Sequence, residues 1–138
     1  MRGTLITLLV AASVLVSAAA QPSLEARAES KRLRTIGLAA GYNLDYPEAL
    51  DAFRAAMEAD PDDPAPHRLF AATLWIKALF AQGAMTAEDY LGQARISVPR
   101  TPPAPEVDRA FREHVQRAAT LAERAVKRDS REIGRAHV

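Results

Sequence analysis

Three histidines, His67, His114 and His137, are the side chains of this chain best suited to bind a transition metal or carry a proton near neutral pH. No two of them stand at the i, i+4 spacing by which a helix presents paired imidazoles, and the chain has no cysteine, so no metal site is expected. The acids of "DPDDP", residues 60–64, lack the alternating ligands and distal Glu of a calcium loop. Helix capping and turn formation explain them. A Gly-rich phosphate loop, a Gly-x-Ser-x-Gly elbow and a His-Glu-x-x-His helix are all missing from the sequence, so it reads as neither an enzyme nor a holder of a cofactor. What remains is recognition chemistry: arginines that can hold a carboxylate through two parallel hydrogen bonds, and one tryptophan.

The elements that must position these groups are helical. In "PSLEARAESKRLRTIGLAAGYN", Ser23 suits an N-cap, and Leu24 and Ala28 are followed by a firmer stripe of Leu33, Ile36, Ala39 and Ala40. Pro47 suits the first turn of a second helix, on which Tyr46, Ala49, Leu50, Phe53, Ala56 and Met57 share one face. Asp60 and Pro61 end it, and Asp63 and Pro64 open a third helix over about residues 65–82. Leu69, Phe70, Leu74, Trp75, Ile76, Leu79 and Phe80 make that helix apolar nearly all round, which predicts a central element packed on several sides. A short helix is expected from Thr86 to about Ala94, then an extended loop through the prolines of "ISVPRTPPAP". The last helix opens at Pro105 and is expected to run to about Arg128, burying Val107, Phe111, Val115, Ala118, Ala122 and Ala125.

Short connections between helices of this length imply antiparallel neighbours. Within the first pair, Leu33, Ile36, Gly37 and Ala40, followed by Ala49, Phe53, Ala56 and Pro61, stand at separations that resemble the tetratricopeptide repeat, a helix-turn-helix unit of about 34 residues. Leu33 and Ala40 occupy places where that family often has Trp and Tyr. Gly37 and Ala49 would let two backbones approach, Phe53 would fill the space between them, and Pro61 would end the unit. One period later His67, Phe70, Ala71 and Leu74 keep the first-helix pattern, whereas Gly83, Ala87, Tyr90 and Arg95 do not reproduce the second. Ala118, Ala122, Ala125 and the pair Asp129 and Ser130 restore it beyond an insertion at about residues 84–104.

The resemblance implies an all-α fold of antiparallel helical hairpins, of the α-solenoid type. It also implies a concave groove lined by Lys31, Arg34 and Leu38 on the first helix and by Arg68, Ala72 and Trp75 on the third. Arg34 and Arg68 would stand one above the other, able to grip an acidic peptide. The partner expected is thus a protein or peptide. Two other readings stay open: an accessory region of a larger enzyme, and a helical bundle with a purely structural role.

The ends carry their own expectations. In "MRGTLITLLVAASVLVSAAA", Arg2 precedes an uncharged run that closes in three alanines, the layout of a signal peptide over residues 1–20 with cleavage after Ala20. As a membrane anchor Leu5 to Ala20 would reach only about 24 Å at roughly 1.5 Å per residue, short of a hydrocarbon core of about 30 Å. Export to the periplasm or the exterior is expected, with no membrane association beyond the signal peptide. Of 18 basic and 17 acidic side chains, residues 1–20 hold only Arg2, so the remainder is balanced and offers no electrostatic footprint for nucleic acid. "EIGRAHV" shows no helical period and resembles translated sequencing adapter, so residues 132–138 read as a non-native tail and residues 21–131 as a repeat region cut short. About three repeats are usually needed for stability, and two with a cut end read as a fragment.

Overall fold

A computed structural model describes the backbone of residues 23–83 and 101–136, and the side chains as far as Ser130. The expected signal peptide, the Thr86 helix, most of the insertion, and His137 and Val138 lie outside the described residues. Among the described residues all regular structure is helical: α1 (Leu24–Tyr42), α2 (Tyr46–Ala59), α3 (Pro64–Ala81) and α4 (Pro105–Ala136). The helices pack α1 on α2, α2 on α3 and α3 on α4, while α1 and α3 touch only narrowly.

Local chemistry accounts for each boundary. Ser23 accepts the Ala26 N–H at 3.1 Å and caps α1. At the other end of α1 the Leu44 N–H bonds Gly41 and the Asp45 N–H bonds Ala40, at 3.1 and 2.9 Å, with Leu44 held at φ 63°. This is a Schellman closure with leucine in the left-handed position usually given to glycine. Asp45 then caps α2, whose first turn contains Pro47. Asp60 leaves helical geometry at φ −136° ahead of Pro61, and its carboxylate accepts the Asp62 N–H at 3.1 Å. Asp63 accepts the Ala65 N–H at 2.8 Å and starts α3. The acids of "DPDDP" thus shape a turn and two helix ends.

Ala40, Ala49, Leu50, Phe53 and Phe70 form the core, with Met57, Leu69 and Leu74 packed against it. Within it Phe53 lies directly against the α1 backbone: a Cβ built on Gly37 would stand 2.5 Å from Phe53 Cε1. Four expectations need correcting. Ile36 is 38% exposed, because the inward stripe of α1 is carried by Ser30, Gly37 and Ala40, small residues that let α2 approach. On α3 the apolar girdle is only partly covered; Phe70 and Ala71 are buried, whereas Trp75, Ile76 and Phe80 keep 45, 39 and 50% of their surface. The flanking helices α2 and α4 cover two sides of α3, and the contact with α1 is too narrow to cover a third.

The register of α4 also differs. Its inward stripe is Val107, Phe111, His114, Ala118, Leu121 and Ala125, with Leu121 2% exposed, while Val115 and Ala122 face outward. Steps of four and three residues alternate along this stripe, the seam by which one helix lies along another. The helix also continues to Ala136 rather than ending near Arg128, carrying the backbone of "EIGRA" in helical form.

Candidate functional site

The six residues of the expected groove sit on α1 and α3, and the structure separates their roles. Lys31, Leu38, Arg68 and Ala72 are exposed. Arg34 is half-buried, its Nε 3.3 Å from Asp63 Oδ2. That nitrogen is not aligned for a hydrogen bond, so the pair is held by charge rather than by a directed N–H. The Ser30 hydroxyl, fully buried, donates to the same Asp63 oxygen at 3.3 Å. Asp63 therefore caps α3 through one oxygen and ties it to α1 through the other. Arg34 is committed to that joint instead of standing free beside Arg68.

Trp75 is turned toward α4. Its ring lies 5.8 Å from that of Phe111, and together they border a cavity of about 180 Å³ with Leu74, Ala78, Pro103 and Val107. Nearby, Gln82 Nε2 donates to the Thr101 carbonyl at 2.9 Å, at one edge of a larger, mostly apolar cavity of about 540 Å³ lined by Leu74, Ala78, Pro102 and Val107. Trp75 thus belongs to the α3–α4 joint as much as to any face shared with α1.

The most distinctive polar arrangement was not legible from spacing. His67 of α3 and His114 of α4, 47 positions apart, place their Nδ1 atoms 2.9 Å from one another. His114 also stacks on Phe70, with ring centroids 4.2 Å apart, and Phe70 in turn lies 5.1 Å from the Arg54 guanidinium of α2. An open cavity of about 460 Å³ reaches the pair and is lined by Glu113, Gln116, Arg117 and Thr120 as well as the two imidazoles. Burial is the main cause that lowers the pKa of His67 below its ordinary value. The positive forms of His114 and Arg117 add to this, while Glu113 and Asp63 oppose it. Burial likewise lowers His114, with Glu113 opposing and Arg54 assisting.

The signal that could have found this pair is the seam of α4. Stepping four and three from Val107 and Phe111 lands on His114, but a search for apolar residues takes the neighbouring Val115 instead. The two imidazoles are alone in one respect: among the described residues no group of three or more His, Cys, Asp or Glu side chains is placed to hold a metal ion. Nor is any described helix long and apolar enough to cross a membrane. No family model, curated protein or solved structure matches this chain.

Proposed function

We propose that the chain is an exported scaffold, similar in organisation to tetratricopeptide-repeat proteins, that binds a protein or peptide partner and catalyses no reaction. The observation that carries this reading is the order of packing: each helix lies mainly on its neighbour in sequence, and the first and third meet along a narrow line. Contacts confined to sequence neighbours are what stacked helical hairpins show, and such stacks present the first helix of each hairpin along one face. Gly37 against Phe53 supports the pairing within the first hairpin.

In this reading that face carries Lys31, Leu38, Arg68 and Ala72, each of which is exposed, with cations on both helices. The chemistry suits an extended acidic segment, held by lysine and arginine and lying over small or aliphatic side chains. Because Arg34 is bound to Asp63, the informative variant is Lys31→Glu with Arg68→Glu. On arrays of acidic peptides this double variant should bind at least about tenfold more weakly, a loss of about 1.4 kcal/mol or more, with unaltered thermal unfolding. Affinity equal to that of the wild type would refute the groove.

A further inference from the structure

We infer that His67 and His114 form an acid-released latch that docks α4 on α3. Two Nδ1 atoms at 2.9 Å need a single proton between them, one ring donating and the other accepting through its lone pair. With both imidazoles neutral this is met by opposite tautomers. One added proton is also accommodated, on the far nitrogen of the acceptor's partner, since the charged ring still donates to the neutral one. A second cannot be, because both Nδ1 atoms would then carry hydrogens pointing at each other, between two like charges.

The surroundings reinforce this limit. His114 is stacked on Phe70, which keeps water from one side of its ring, and the Arg54 guanidinium of α2, 5.1 Å from the Phe70 ring, adds positive charge that acts on His114. Arg117 of α4 lies at the cavity beside His67 and adds positive charge. Glu113 of α4 and Asp63 of α3 are the acids facing the pair, and Asp63 already serves Ser30, Arg34 and the Ala65 N–H. The cavity gives protons a path to the imidazoles, so the pair can respond to the medium.

The sign follows from linkage. In the unfolded chain each imidazole protonates independently near its ordinary value of 6.5, whereas the folded pair refuses one of those two protons. The stability supplied by the latch is therefore complete above that value. It is lost as pH falls below it, by up to about tenfold in the folding constant per pH unit for one excluded proton. Because α4 buries only Leu121 fully among its described side chains, the loss falls on a lightly anchored helix.

Trp75, the one tryptophan of the chain, faces Phe111 of α4 and reports on the docking. Urea unfolding of the full chain, followed by Trp75 fluorescence and far-ultraviolet circular dichroism, should show a folding constant at about pH 5.5 at least threefold below that at about pH 7.5. His67→Gln, which keeps a neutral hydrogen-bonding side chain, and His114→Phe, which keeps the ring on Phe70, should each flatten that dependence. His137 is present in all three proteins, so its titration cancels. A wild type whose stability does not change over this range overturns the latch, as does either folded variant that retains the wild-type slope.

Discussion

Phe53 and Gly37 show how much one residue pair can decide. The ring is 1% exposed, and a methyl group on Gly37 would come within 2.5 to 2.9 Å of three of its carbons. In an open helix Gly37→Ala would gain about 0.5 to 1 kcal/mol from backbone entropy. Here it collides with a ring enclosed by the core, and overpacking of this kind costs about 1 to 3 kcal/mol. Phe53→Ala should cost about 3 to 5 kcal/mol through lost burial and the cavity left behind. In that background the clash disappears, so Gly37→Ala should turn from destabilising to stabilising. Denaturant unfolding of the two single variants and the double variant checks this, and simple additivity would show that the ring does not press on Gly37. The spacing of Ala49, Phe53 and Ala56 was enough to foresee their burial. Ser30 was not foreseeable in this way, because its place in the core rests on a hydroxyl that finds Asp63 across the α1–α3 joint.

Among the elements, the end of α1 holds a correctable flaw. Leu44 occupies the left-handed region at φ 63°, where a side chain with a Cβ costs about 1 to 2 kcal/mol relative to the right-handed alternative. It is 53% exposed, so little burial would be lost with its side chain. Leu44→Gly should therefore raise stability by about 0.5 to 1 kcal/mol, net of glycine's extra freedom in the unfolded chain, and thermal unfolding will read it. A fall in melting temperature would mean that Leu44 makes contacts worth more than its strain. Helix starts were legible in the sequence because Ser, Asp and Pro act locally. The register and length of α4 were not, since a stripe containing a histidine competes with one containing Val115 and only the contact with α3 chooses between them.

Across the whole molecule the two hairpins are unequally anchored. Six residues of α2 are buried, including Ala49, Phe53 and Ala56, whereas Leu121 alone is buried on the described part of α4. Amides of α2 should accordingly exchange only by the largest openings, and those of α4 beyond Leu121 by much smaller ones. Hydrogen exchange at neutral pH should show α4 protection at least about tenfold below that of α2; equal protection would mean that the described helices open as one unit. Acidification should widen the gap if the imidazole latch operates, which links this measurement to the pH dependence of unfolding.

The sequence by itself determined where the described helices begin, near Ser23, Pro47, Asp63 and Pro105, and the pairing of Gly37 with Phe53 in the first hairpin. Those features follow from interactions spanning a few residues, or from a periodicity that only one helix face can satisfy. Tertiary structure alone decided that Arg34 is held by Asp63, that Trp75 turns toward Phe111, and that His67 meets His114. Each of these joins residues 29 to 47 positions apart on different helices, as the residue numbers show. Such pairings depend on the relative rotation of packed helices, and a rotation of one residue, roughly 100° at about 3.6 residues per turn, replaces one partner by another.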